Sequence, residues 1–369
     1  MTKPRFYLKP FAVYNSKVCL LEPNTNATDL DFTRNSVAKK TNSKGIIEDV
    51  AINIPRLNFA KGDKYPSLLF ERSCVNLITH PEDFSNAFWN QTTATVTASI
   101  GINPEGTSGT YFVENVGSGN QLGASFAVTI GNDYTSSWFV RKISGTGAVI
   151  IKDTNNVDNN FTATSEWQRF SATANASSVT GRCYIQVPTG DKIEVYGAQF
   201  EEKSYASSYT GTVTRAAEAA SKTGLSSYIN STEGVFYAEI AANANDGTPR
   251  IFGLSNGLDF DNSVLIRYSA TSNRITAQIR LGGSYVVSLD YDVADSTLFS
   301  KVAFKYKEND FALWVDGIER ATSSSGNTIT GLDSFGFSFV SGNEFDGKVK
   351  DLRVYYTIEE AGNLSILTT

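Results

Sequence analysis

"KVAFKYKENDFALWVDGIE", Lys301 to Glu319, decides how this chain folds. Val302, Phe304 and Tyr306 alternate with Lys301 and Lys305, the period-two pattern of a strand with one buried face. Phe311, Leu313 and Val315 repeat the pattern after a polar break; the opposite choice of face would bury Asp316. Both apolar faces must meet the same core. Cross-strand partners must therefore have an odd sum, because a slip of one residue turns every side chain over. A tight turn at Asn309-Asp310, both tolerant of positive φ, satisfies this condition. It pairs Glu308 with Phe311, Tyr306 with Leu313, Phe304 with Val315 and Lys305 with Trp314. Lys305 and Trp314 then lie on the outer face, a cation over an indole.

The same pattern recurs on both sides of this hairpin. "SFGFSFV" alternates Phe335, Phe337 and Phe339 with small residues, and "YTSSWFVRK" and "RCYIQV" read as strands between Gly, Asn and Thr-rich turns. The composition agrees. Charged residues make up only 19% of the 369 and aromatics 12%, a profile of short, turn-bounded strands. The fold class predicted is all-β: two tandem β-sandwiches of jelly-roll type, preceded by a short extended N-terminal segment.

The domain boundaries follow from the punctuation of the chain. Residues 1–72 read as short extended pieces, including a hairpin in "FTRNSVAKKTNSKGIIEDV" that turns at Asn42, Ser43, Lys44 and Gly45. They look too fragmentary to bury a core unaided and are assigned to attachment or oligomerisation. Residues 73–215 form the first sandwich, with Trp89, Trp138 and Trp167 as core or rim residues. Residues 226–369 form the second, ending in a turn or two of helix at "TIEEAGNLSIL". The stretch "GTVTRAAEAASKTGLSS" has few large apolar residues. It reads as a linker over 210–226 and as the main protease-sensitive site.

Several functions are excluded or left without support. The net charge of −6 argues against a nucleic-acid partner. No apolar run approaches a membrane span. The start of the chain lacks the apolar segment of a signal peptide, which points to synthesis in a cytoplasm. Cys19, Cys74 and Cys183 are odd in number and widely spaced, and read as small buried side chains. The single histidine, His80, precedes a proline and reads as a turn residue. "GNEFDGKV" has the spacing of a phosphate-binding loop, but Val349 stands where a Ser or Thr is needed and a strand follows where a helix is needed. "DTNNVDNNF" lacks the sixth-position glycine and closing glutamate of a calcium loop. With "LDFDN" (Asp259, Asp261, Asn262) it reads as a solvated turn. No catalytic residue, cofactor or metal is called for, and no acidic pair is placed by the sequence across a cleft.

Three motifs in order carry a resemblance. "NLITHPEDFSNAFW", "WQRFSATA" and "VYGAQFEEKSYASSYTGTVTRAAE" resemble a module of bacteriophage virion proteins that looks like a carbohydrate-binding jelly roll. "FTRNSVAKKTNSKGIIED…NIPRLNF…LLFERSCVNL" resembles the segment that precedes such modules in tail and fibre proteins. "KVAFKYKENDFALWVDGIE" with "FDGKVKDLRVYY" is similar to concanavalin A-like, laminin G-like sandwiches. The resemblance implies a structural, adhesive virion protein, a fibre or decoration on head or tail. It would be a homo-oligomer, a trimer being usual for fibres, joined to other virion proteins through residues 1–72 and binding a host-surface glycan. A stand-alone lectin is the alternative, and a polysaccharide depolymerase a third reading that lacks facing carboxylates. Trp314 and Lys305 are the candidate glycan contacts. Trp314 has a second reading, as a shield for its own sheet or a contact to a neighbouring subunit. Within the closing motif, Gly197 reads as a bulge or a close approach, and the chain after Ser207 as a tether leaving the sheet.

Overall fold

The computed structural model describes residues 4–8, 13–14, 17–18, 29–115, 121–339 and 343–369. Cys19 lies outside them. Among the described residues strands dominate, and the helices are two single turns, Ile358–Ala361 and Leu364–Leu367. Among the described residues no helix is long and apolar enough to cross a membrane. The chain forms two compact units. One takes residues 1–36, 50–72 and 216–369, and the other 37–49 and 73–215.

In the first unit two sheets stack face to face. One runs in the order Ile318–Ser323, Phe311–Val315, Ser300–Lys307, Glu233–Ala242, Gly347–Tyr355, Ser67–Phe70, Arg56–Asn58, and Phe6–Leu8 also pairs with Gly347–Tyr355. The other contains nine strands, among them Leu30–Thr33, Ala219–Lys222, Ser334–Gly336, Arg250–Asn256, Asp259–Tyr268, Arg274–Leu281 and Ser284–Asp292. Inward residues from both, such as Phe236, Phe252, Phe304, Leu313 and Phe337, form one core. The second unit stacks two five-stranded sheets. Trp138 is fully buried between them, its ring 5.5 Å from Phe84 and 5.3 Å from Trp89. Trp89 donates its indole N–H to the His80 carbonyl at 2.9 Å. Trp167 sits at the rim, half-buried, with Arg141 4.9 Å from its ring.

Three expectations need correction. The first concerns residues 1–72, read as a separate segment. Leu30–Thr33, Arg56–Asn58 and Ser67–Phe70 are strands of the C-terminal sandwich, and Leu30, Phe32, Leu68 and Phe70 are in its core. Pieces too short to bury a core alone bury their apolar faces by completing sheets begun elsewhere in the chain. The hairpin turn at Asn42–Gly45 does form, with Gly45 at φ 78°.

The second correction concerns the stretch over 210–226. Arg215 is fully buried and Glu218 is 2% exposed. Ala219–Lys222 pairs with Leu30–Thr33 on one side and Ser334–Gly336 on the other. The segment is anchored by charge and backbone pairing rather than by apolar side chains. Glu218 accepts from Arg34 Nη1 at 2.8 Å, from Arg56 Nε at 2.7 Å and from the Glu71 amide at 2.9 Å. Arg56 also pairs with Glu71 at 2.8 Å. Two buried cations thus meet two buried anions, the arrangement that makes burial of charge tolerable.

The chain just before it is no tether either. It folds back over the outer face of Lys192–Glu201. The Glu201 carboxylate accepts from the Ser207 amide at 2.9 Å, the Ser207 hydroxyl at 2.6 Å and the Cys74 thiol at 2.9 Å. Gln199 Oε1 accepts from the Thr210 amide at 3.0 Å. Asn76 donates to the carbonyls of Ala198 and Gly211. Gly197 is the expected bulge and also a close approach. It takes φ 58°, and a Cβ there would lie 3.1 Å from the rings of Phe139 and Tyr209. The closing motif is therefore a set of polar clasps.

The third correction is the register of the Lys301–Glu319 hairpin. The inward set is as read: Val302, Phe304, Tyr306, Phe311, Leu313 and Val315 are all buried. The partners differ by two: Phe304 faces Leu313, Ala303 faces Trp314 and Lys305 faces Ala312. The Asp310 amide donates to the Lys307 carbonyl, and Asn309 alone of the turn residues takes positive φ, 56°. The loop is Glu308-Asn309, so the odd-sum rule holds with the turn one residue earlier.

Candidate functional site

Trp314 faces away from the inter-sheet core and is half-buried. Ala361, Leu364 and Leu367 of the C-terminal turns pack on Val235, Tyr237, Ala303 and Tyr355, and Trp314 joins this cluster half-buried. Thr357 and Asn363 cap the two turns by accepting backbone N–H groups, and Gly362 between them takes φ 67°. The Lys305 ammonium is held by Asp310 at 2.5 Å. Among the described residues no cation–π pair joins Lys305 and Trp314.

The remaining chemistry-bearing motifs have local partners. Asp153 Oδ1 accepts from the amides of Asn155 and Val157, and Asp259 from the Asp261 amide and the Asn262 side chain. These are turn-closing bonds. No cluster of three or more metal-ligating His, Cys, Asp or Glu occurs among the described residues. Gly347–Tyr355 is a strand, as the rejection of a phosphate loop requires. Burial pushes the thiols of Cys74 and Cys183 up to about 12, and for Cys74 the neighbouring Glu201 carboxylate adds to it.

An open hollow of about 280 Å³ lies further along the same outer face as Trp314, beyond the helical turns. Three pieces of chain build it. The turn before Ser67–Phe70 supplies Asp63, Lys64, Tyr65 and Pro66; Glu233–Ala242 supplies Glu239; Gly347–Tyr355 supplies Lys350 and Asp351. Glu239 and Asp351 are outward neighbours on adjacent strands, and the register slips at the next position, which makes room for Lys350 beside Asp351. Tyr65 is 53% exposed, with the Lys64 ammonium 5.2 Å from its ring. Lys350 sits 3.4 Å from Asp63 and 4.2 Å from the Phe299 ring. Arg353 grips Asp351 through Nε at 3.1 Å and Nη2 at 2.5 Å.

This arrangement has a definite chemistry. An exposed aromatic face stands beside carboxylates, which accept hydrogen bonds, and ammonium groups, which donate them. The charges nearly balance, so the hollow suits a neutral ligand rich in hydroxyls. Sequence reading missed it. Tyr65 lies in a loop, where "KYP" signals only a strand edge, and the bulge at Lys350 has no mark in the alternation.

No protein-family model matches the chain, and no curated protein matches it. Among solved structures it is similar to the CBM40 of the Ruminococcus gnavus IT-sialidase bound to α2,3-sialyllactose. The identity is 16% over 38% of this chain and 84% of that one, with a TM-score of 0.32. A Bacillus licheniformis β-glucanase is 10% identical over 38% of this chain and 72% of its own, TM-score 0.30. The carbohydrate-binding module CBM66 from Bacillus subtilis is 11% identical over 37% and 80%, TM-score 0.26. At these scores the likeness bears on neither ligand nor mechanism.

Proposed function

We propose that this chain is a glycan-binding protein that takes a neutral saccharide in the hollow of Tyr65, Asp63, Glu239, Lys350 and Asp351. The observation that carries this reading is the exposed Tyr65 ring set beside balanced acids and amines. A sugar would stack its C–H face on the ring and exchange hydroxyl hydrogen bonds with the charged rim. Binding is favoured over hydrolysis. Glu239 and Asp351 are neighbouring carboxylates, but both oxygens of Asp351 are already engaged by Arg353.

The wider setting belongs to the same proposal. The order of the three motifs that carry the resemblance supports a structural, adhesive role in a bacteriophage appendage, as a homo-oligomer. Mass spectrometry of purified virions tests the first point and light scattering of the full chain the second. Glycan-array screening followed by calorimetry tests the binding. Tyr65→Ala should weaken the best neutral glycan by about tenfold or more with an unchanged melting temperature. An unchanged affinity would remove the hollow from the reading.

A further inference from the structure

The nine-stranded sheet turns a second chemistry outward. On its strands Asp259–Tyr268, Arg274–Leu281 and Ser284–Asp292, the residues Val264, Ile266, Ala277, Ile279, Val287 and Leu289 face the core. Their neighbours Arg267, Gln278 and Arg280 therefore face away, and Leu265 pairs with Gln278, which pairs with Ser288. Tyr285, opposite Arg280, is 43% exposed. The Arg280 guanidinium lies 5.1 Å from the Tyr285 ring and 4.4 Å from Phe260, and Arg267 approaches Tyr285 to 5.5 Å.

The cations of this face are not equivalent. Arg280 is paired with Asp261 at 2.9 Å and Arg274 with Asp292 at 2.6 Å. Asp290 is engaged by the Thr276 hydroxyl at 2.7 Å. Arg267 has no hydrogen-bond acceptor and no ion pair among the described residues, and its Nε is buried without a partner. Gln278, diagonal to it, is 4% exposed. Its amide nitrogen donates to the Ser288 hydroxyl at 3.0 Å, and its Oε1 is buried without a partner. Were the amide turned over, the unpartnered atom would be the nitrogen, so one half of the group lacks a partner either way. Buried polar groups without partners are costly and rare. Here two occur at diagonal positions of one face, and the guanidinium of one lies 5.5 Å from the exposed Tyr285 ring.

We infer that this face is a second binding site, for a saccharide that carries a carboxylate. The planar guanidinium of Arg267 takes the carboxylate through paired N–H donors, which a carboxylate matches in geometry. A ring hydroxyl donates to Gln278 Oε1, and the sugar face lies on Tyr285. A bare anion satisfies only the first of these contacts. The inference stands apart from the Tyr65 hollow, whose charges are balanced and which lies on the other sheet.

The test titrates the full chain with trigalacturonate, with its methyl ester and with sodium sulfate. The acid should bind about tenfold or more tightly than the neutral ester. Arg267→Gln should abolish that preference, Arg267→Lys should restore only part of it, and Tyr65→Ala should leave it intact. Melting temperatures of the three variants should match the parent, because Arg267 and Tyr65 hold little of the fold. Equal binding of acid and ester, unchanged binding by Arg267→Gln, or no binding of trigalacturonate at millimolar concentration each overturns the inference. Sulfate binding as tightly as the trisaccharide overturns its saccharide part.

Discussion

The sheet containing Lys192–Glu201 and the sheet containing Arg274–Leu281 both turn polar side chains away from their cores, and they treat them in opposite ways. On the first, Gln199 and Glu201 are fully buried because the chain from Ser207 to Arg215 lies over them and supplies their partners. On the second, Gln278 is nearly as buried, yet half of its amide is left without a partner beside Arg267. The same chemistry is structural where the chain closes over it and available where it does not. Burial alone does not distinguish the two; whether the polar atoms are satisfied does.

This contrast can be broken by mutation, and the largest effects belong to the closed face and its continuation. Glu218→Ala should cost about 3–5 kcal/mol in urea unfolding, because it removes the buried carboxylate that Arg34 and Arg56 share. A loss under 1 kcal/mol would show that the pair is reached by water. Trp138→Ala should cost a similar ~3–5 kcal/mol, and the unfolding transition assigned to residues 73–215 should move while the other stays. Gln199→Ala should cost about 1–3 kcal/mol by leaving the Thr210 amide and Glu201 short of partners. On the open face Tyr285→Ala should stay within about 1 kcal/mol, since it removes only exposed ring–cation contacts. Any larger loss would make that face structural too.

A pH series sharpens the same comparison with a smaller effect. Cys74 and Cys183 are both in the unit of residues 73–215, and burial raises their thiols from the ordinary 9.0 to about 12. The folded state therefore holds protons that the unfolded chain releases. Their contribution is complete below pH 9 and is lost as the pH climbs toward 12. The transition of that unit should fall in this window, and Cys183→Ala should flatten the fall.

The parts legible in the sequence were those written in apolar alternation. Val302, Phe304 and Tyr306 gave the correct face of the central hairpin, because burying the alternate set is unaffordable. The register was not fixed by that pattern. Asn309 can serve either of two adjacent loops, and the apolar faces match in both. The segment around Glu218 looked like a linker because its anchors are carboxylates and guanidinium groups, whose partners lie far off at Arg34 and Arg56. The packing around Trp314 was hidden because Leu364 and Leu367, which share its cluster, arrive some fifty positions later. Loop-borne Tyr65 and unpartnered Arg267 carry no periodic signal at all. Their roles depend on neighbours that only the fold supplies.

The central place of Gly347–Tyr355 in its sheet sets the order in which the chain can fold as it is made. Leu68 and Leu69 pair with Val349 and Lys348, so the early strand Ser67–Phe70 has no partner on that side until almost the whole chain has emerged. Residues 73–215 hold both of their sheets within their own span and can fold in the meantime. Until the late strand arrives, Ser67–Phe70 presents a bare backbone edge and the apolar side chains of Leu68 and Phe70. Such pairing over long chain separations is slow and open to aggregation. Translation that stops short of residue 347 should therefore yield a folded, soluble middle flanked by two sticky ends.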